Sequence, residues 1–390
     1  MAAIAVTQQP SMATSTFKPI IQQSQATKRK LEDTSFDPRE HLVYEEPKSI
    51  VMMKDIGFTE TTGVSPMAVS EPFKLFSAEC IQKFRDEVLS EEVLEKCSYK
   101  SNIAAMQLRG YASRYAPFTY GAWHDPETLK IVSSIAGVDL IPNIDLEIGH
   151  INISVKSETQ ASDELAAVEA EQQKHAEDEG ISGCPWEDDK PVVGWHRDSY
   201  PFVCVVMLSD CTNMVGGETA LKMENGEIMK VRGPQMGCAV VMQGRYITHQ
   251  ALRALGAQER ITMVTSFRPR SPFLRDDSVL STVRGISDLS TLYYEYAQYR
   301  LEMLEQRVQA QLQQIRDDRA AGRKTDEKGL KEFLGEQERF CQRTNGEILP
   351  YEEVVEGHQP EMAFANVKLP PTPPNEVESE GPVAKKVRVV

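Results

Sequence analysis

Paired cysteines, long apolar runs and an excess of positive charge are all missing from this chain. Its seven cysteines are scattered at Cys80, Cys97, Cys184, Cys204, Cys211, Cys238 and Cys341. Without a Cys-x-x-Cys pair, zinc ribbons and thioredoxin-type redox motifs are excluded. An odd number of thiols and no secretory signal fit reduced, mostly buried cysteines of the cytosol or nucleus. Cys204 and Cys238 lie in apolar runs and read as small hydrophobes, and none reads as catalytic. No run of about 18 apolar residues is present, so a membrane-spanning helix is not expected. Basic residues are outnumbered, 43 Lys and Arg against 58 Asp and Glu, for a formal net charge of −15. Such a chain gets no long-range help in approaching DNA or RNA, so a nucleic-acid partner is not expected.

What is present is an ordinary globular composition. Of 390 residues, 41% are hydrophobic and 26% charged, enough for one large domain with additions or two smaller ones at roughly 100–200 residues each. Residues 1–45 are rich in Gln, Ser, Thr and Lys without periodicity and read as a disordered arm. Residues 46–285 hold the expected catalytic domain, with clear packing signals from Phe73 onward. Ser77 is placed to cap a helix through Leu89, with Ile81, Phe84, Val88 and Leu89 on one face. Leu140 to Val155 alternates apolar and polar residues as one half-buried strand, setting His150, Asn152 and Ser154 on one face. Residues 156–190 form an acidic insertion, 11 acidic residues against 3 basic, with helical composition from Ala161 to Ala176. It reads as a solvated surface excursion, with a lid near an active-site mouth as the sharper alternative.

From Pro191 to Arg270 come short β runs, PFVCVVML, MGCAVVMQ and ITMVTSF, with turn signals at Gly216-Gly217 and Asn225-Gly226. Several strands without intervening helices point to an antiparallel sandwich or barrel, the jelly roll included. Residues 286–345 turn helical, with Leu289, Leu292, Tyr296, Tyr299 and Met303 spaced by three and four. Packing on the β core is the ordinary reading, and a homodimer seam through this C-terminal helix the sharper one. Residues 346–390 read as a mostly disordered Pro-rich tail. The short basic clusters at Lys28–Lys30 and Lys385–Arg388 are candidate nuclear import signals, leaving a cytoplasmic or nuclear location open.

The chemistry is concentrated in Gly194-Trp195-His196-Arg197-Asp198-Ser199-Tyr200 and Tyr246-Ile247-Thr248-His249. His196 and Asp198, two apart at a strand end, project to one side. With His249 they supply two imidazoles and a carboxylate, a set that holds a divalent metal on one side, leaves other positions open and suits non-heme Fe(II). Eleven residues beyond His249 stands Arg260, whose guanidinium, if buried, needs an anion such as a carboxylate, and Thr262 on the same strand face adds a hydroxyl. The rival pair His175 and Glu177 lies in a helical stretch, where residues two apart diverge. His124 and Asp125 are adjacent and point apart, and His358 falls in the tail.

An HxD pair, a distant His and a basic residue about ten positions on resemble the Fe(II)/2-oxoglutarate-dependent dioxygenases. Val215-Gly216-Gly217-Glu218-Thr219 looks like the Gly-Gly-Glu-Thr turn of their prolyl-hydroxylase-like branch. The likeness is loose over 75–270 and close over 194–268, and the general layout resembles fungal members. It implies a mainly β core with helices, a double-stranded β-helix or jelly roll with N-terminal supporting helices and a helical C-terminal extension. It implies His196, Asp198 and His249 as iron ligands, and Arg260 with Thr262 on the distal carboxylate of 2-oxoglutarate. No catalytic residue beyond the ligands is implied. Fe(II), 2-oxoglutarate and O2 are then required, ascorbate is expected to stimulate, and succinate and CO2 accompany the oxidised product. Prolyl-hydroxylase-like members often carry Lys where Arg260 stands, so peptidyl-proline is not implied as the substrate. A small organic molecule is favoured slightly over a protein side chain, a nuclear protein gaining weight if the basic clusters direct import. A non-catalytic jelly-roll binding module and a metalloenzyme of the cupin kind without 2-oxoglutarate are the competing readings. Trp195, Arg197 and Tyr200 are candidates for the substrate mouth, and Asn152 for facing the co-substrate.

Overall fold

The β runs between 193 and 269 pair with the strand before the acidic insertion to make two facing antiparallel sheets. The computed structural model describes residues 35–59, 61–102, 104, 106–177, 193–211, 214–231, 235–252 and 254–359, without the side chains of 168–177. Both basic clusters, the remainder of the acidic insertion and the Pro-rich tail lie outside these residues. Eight core strands are β1 His150–Val155, β2 Val193–His196, β3 Phe202–Met207, β4 Thr219–Lys222, β5 Ile228–Val231, β6 Cys238–Met242, β7 His249–Ala251 and β8 Glu259–Pro269. The large sheet carries them in the order β6-β3-β8-β1, extended by Met67–Ser70 and Ile50–Met52 on one side and by Gln107–Leu108 and Ser98–Tyr99 on the other. The small sheet runs β5-β4-β7-β2. Strands 1, 8, 3 and 6 opposite 2, 7, 4 and 5 make the core a double-stranded β-helix.

Alternation along each strand separates two apolar layers. Phe202, Cys204 and Val206 of β3, Ala239 and Val241 of β6, and Ile261, Met263 and Phe267 of β8 face the helices. Val203 and Val205, Val240 and Met242, and Val264 face the small sheet, where Leu221, Met229, Val231 and Ile247 meet them. Helix Ala78–Val88 begins where Ser77 Oγ accepts from Cys80 N at 3.2 Å, and it buries Ile81, Phe84 and Val88. Pro117–His124 and Pro126–Ala136 each open on a proline, whose missing N–H costs nothing in a first turn. Trp123, fully buried, donates to Met263 Sδ at 3.3 Å and ties this layer to β8.

Four expectations change. The arm expected to be disordered over 1–45 is structured from Ser35, because Phe36 stacks on His41 and meets Phe76 and Phe118 edge-on. These aromatic anchors leave no periodic trace in the sequence. The single strand expected over 140–155 is Leu140–Pro142, a short 3-10 turn Asp145–Glu147, and β1. Both strands pair with β8, at 267–269 and 259–264, and Gly149 at φ +69° re-aims the chain between them. Packing signals also start earlier than Phe73, since Met53, Ile56 and Val69 are already core. The stretch 346–359, expected to be tail, packs back on the domain. Gln359 is buried, its amide N donates to Asn102 Oδ1 at 2.7 Å, and its Oε1 accepts from Ser101 Oγ.

The insertion's helix, Glu158–Glu177, spans the predicted residues, and Lys156 at its root reaches Glu164 at 2.6 Å and the Ala254 carbonyl at 2.7 Å. The C-terminal extension is two helices, Leu289–Ala320 and Glu327–Glu347. The first packs by Leu292, Tyr293, Tyr296, Tyr299 and Met303 on Tyr200 and Leu280, and further on Val308 and Leu312 stand exposed. No helix among the described residues is long and apolar enough to cross a membrane.

Candidate metal centre

His196 ends β2 and His249 begins β7, and the two are directly opposite in the ladder. Their rings lie 4.3 Å apart between centroids. Two residues past His196 the chain turns, and Asp198 N donates to the Gly244 carbonyl at 3.0 Å. The carboxylate thereby comes within 3.5 Å of His196 Nε2 and 3.7 Å of His249 Nε2. One ligand atom from each of the three residues lies within 4.8 Å of the other two, so the structure brings the predicted triad together.

The imidazoles are oriented from behind. His196 Nδ1 donates to the Gly194 carbonyl at 2.7 Å, and His249 Nδ1 to the Ile247 carbonyl at 3.0 Å. A carbonyl only accepts, so the proton of each neutral ring sits on Nδ1 and the Nε2 lone pair is left for a metal. Burial holds His249 down to about 4 against the pull of Asp198. Burial also opposes protonation of His196, but its hydrogen bond and charge pairing with Asp198 prevail and raise it above its ordinary value. Burial would raise Asp198, yet His249 and His196 outweigh it and keep the carboxyl low. A lone carboxylate with two neutral nitrogens fits a divalent, oxygen-activating ion better than a structural zinc, which favours thiolates.

Arg260 and Thr262 lie on β8, on the face that Val264 turns toward the small sheet. Both are buried, and Arg260 Nε has no hydrogen-bond partner. No carboxylate among the described residues pairs with this guanidinium, and burial lowers its hold on its proton. A buried donor left unmet among the described residues calls for an acceptor, and a carboxylate matches the guanidinium best. Opposite it across the ladder stands Ser154, and opposite Thr262 stands Asn152. Gly217, at φ +78°, lies close by, a Cβ built there falling 3.7 Å from Arg260 Nε. The Gly-Gly turn is thus one wall of the guanidinium's surroundings.

Of the candidates for the substrate mouth, Trp195 and Tyr200 are turned elsewhere. Trp195 follows Gly194 on β2, so alternation turns it away from His196, and it packs with Ala220, Ile228 and Leu252. Tyr200 is buried, donating to Glu147 Oε1 at 3.1 Å. Arg197 is exposed and donates to Thr248 Oγ1 at 3.1 Å. Asn152 accepts from Gln107 Nε2 at 3.3 Å, a local bond.

Two features escaped the sequence reading. A Cβ on Gly244 would stand 1.7 Å from Asp198 Oδ2, so only glycine leaves room for the carboxylate. Behind β1, Arg109 and Glu147 form an ion pair with almost no exposure, and Arg109 Nη1 donates to His150 Nδ1 at 3.1 Å. Burial and Arg109 push His150 well below its ordinary value, so it stays neutral. Gly244 reads as a turn glycine. Arg109 could have been suspected from the polar alternation of Gln107 and Arg109.

No family model matches the chain, and no curated protein does. Solved structures do. An oxidoreductase of the 2OG-Fe(II) oxygenase family from Burkholderia pseudomallei is similar at 12% identity and a TM-score of 0.30, over 45% of this chain and 76% of that one. A prolyl-4-hydroxylase from Pseudomonas putida gives 16% and 0.27, over 50% and 88%. HygX from Streptomyces hygroscopicus, solved with nickel, 2-oxoglutarate and hygromycin B bound, gives 12% and 0.30, over 50% and 80%. All three overlaps are partial and distant, so the roles of individual residues rest on this chain's own atoms.

Proposed function

We propose that the chain is an Fe(II)- and 2-oxoglutarate-dependent oxygenase that hydroxylates an organic substrate, with succinate and CO2 as co-products. The observation that carries this reading is the His196–Asp198–His249 triad, with its ligand atoms within 4.8 Å of one another and each Nδ1 turned to a backbone carbonyl. Bound there, Fe(II) would supply oxygen activation to the site. The chain's own residues do the rest. Backbone carbonyls of Gly194 and Ile247 hold the two neutral rings in one tautomer, with Nε2 as the atom that would meet the metal. Arg260 would take the distal carboxylate of 2-oxoglutarate on its guanidinium fork, with Thr262 on the same oxygen. Arg260 is buried, so bulk water would be kept from that ion pair.

The substrate is read as a small or medium-sized organic molecule, with a protein side chain as the second reading, and ascorbate as a stimulant. The test is succinate formation from 2-oxoglutarate with Fe(II), ascorbate and oxygen, in the wild type beside His249→Ala, followed by an anaerobic titration of Fe(II) and 2-oxoglutarate. Wild-type turnover that disappears in the variant, and a visible charge-transfer band present only in the wild type, are expected. A metal-replete, folded chain with neither signal would make the jelly roll a binding module. Turnover unchanged in Arg260→Leu would point to metal chemistry without 2-oxoglutarate.

A further inference from the structure

The helical extension closes one wall of a cleft of about 990 Å³ against the edge of the barrel, and none of His196, Asp198, His249 or Arg260 lines it. Six arginines do: Arg197, Arg245, Arg275, Arg307, Arg339 and Arg343. In a chain of net charge −15 this density of guanidinium runs against the overall composition. Most of the carboxylates in the lining are already engaged. Glu347 pairs with Arg284 and Asp277 is shared by Arg275 and Arg343, while Asp276 meets Arg300 through Oδ1 at 3.6 Å and keeps a buried Oδ2 without a hydrogen-bond partner. Among the described residues Arg197, Arg245 and Arg339 have no carboxylate partner.

A second observation comes from the wall itself. Tyr246 is 6% exposed, and its buried hydroxyl has no hydrogen-bond partner. The Arg275 guanidinium sits over its ring at 5.0 Å. An unmet buried hydroxyl in the wall of the cleft is a cost that an oxygen-rich anion would remove. At the rim, Phe273 is 64% exposed and offers an apolar face.

We propose that this cleft binds a small, multiply charged phosphate compound, an oligophosphate or a phosphate ester, held by Arg197, Arg245 and Arg339. The guanidinium fork matches phosphate oxygens in pairs. The volume lies at the upper end of small-molecule sites, roughly 300–1,000 Å³. A long nucleic acid does not fit the same argument, because beyond the cleft the acidic chain repels an extended polyanion. The proposal does not rest on the oxygenase reading.

Tripolyphosphate is the probe, titrated by calorimetry into the full metal-free chain at low salt, with EDTA present. Saturable one-to-one binding that weakens as salt rises is expected. Arg339→Gln, at an exposed helix position that leaves the melting temperature in place, and Arg245→Gln should each weaken it about tenfold. Arg260→Leu should leave it unchanged. Absence of saturable binding up to about 5 mM, or equal binding by both cleft variants, would overturn the proposal. Loss of binding in Arg260→Leu would also overturn it, placing the anion in the co-substrate pocket. Equal affinity for a hexaglutamate peptide would replace the phosphate ligand with an acidic peptide, whereas tighter binding of a nucleoside triphosphate than of tripolyphosphate would identify a phosphate ester.

Discussion

Asp198 keeps its carboxylate at the metal site only because residue 244 has no side chain, as a Cβ there would reach within 1.7 Å of Oδ2. Gly244→Ala should therefore lower metal affinity at least tenfold while the melting temperature falls only slightly, as read by Co(II) titration and thermal unfolding. Unchanged affinity would show that the carboxylate has another place to sit. A second residue-scale expectation concerns acid. Only the deprotonated Nε2 can ligate, so affinity is lost as pH falls through the raised value of His196, while His249, held near 4, is not limiting. Log affinity for Co(II) should fall by about one per pH unit below a midpoint above 6.5, the ordinary value for histidine. A midpoint near 4 would make His249 the limiting ligand. His196, Asp198 and His249 were legible because a two-residue step on a strand has one geometric meaning. Gly244 was not, because its constraint comes from a side chain 46 positions away in the sequence.

Elements were legible where one period ran without interruption. The helix Leu289–Ala320 has no Gly or Pro to stop it and ends just before Gly322, as its spacing suggests. The stretch 140–155 failed because its alternation survives the 3-10 turn Asp145–Glu147, which periodicity alone cannot see. That turn is locked to the Gln107–Leu108 edge by the Arg109–Glu147 pair, whose side chains are 0% and 2% exposed. Arg109→Met would leave a buried charge unpaired and should cost about 3–5 kcal/mol in urea denaturation. Adding Glu147→Leu should return much of that loss. A single variant within ~0.5 kcal/mol of wild type would mean that the pair is not what holds the turn in place.

At the level of the whole molecule, the last described residues act as a clasp. Gly357 N donates to the Gly285 carbonyl at 2.7 Å, Asn102 N to the Gly357 carbonyl at 3.0 Å, and Asn102 Nδ2 to the Gln359 carbonyl at 2.9 Å. This clasp joins the start of the helical extension to the strand edge near 98–108. Truncation after Ile348 removes several such bonds at ~1 kcal/mol each, so about 2–4 kcal/mol of stability should be lost, read as a lower melting temperature. No change would mean that water replaces these partners at no cost.

β2 is the outermost strand of the small sheet, and among the described strands only β7 pairs with it, through the His249–His196 register. An ion held by both histidines would rivet that outer strand at its matched pair. Without the ion, the same strand is the part of the barrel most easily peeled away, exposing backbone groups that proteases and other chains can capture. Occupancy of the triad would then set how often that strand opens, so that loss of an ion would be read first as proteolytic cleavage at the barrel's edge.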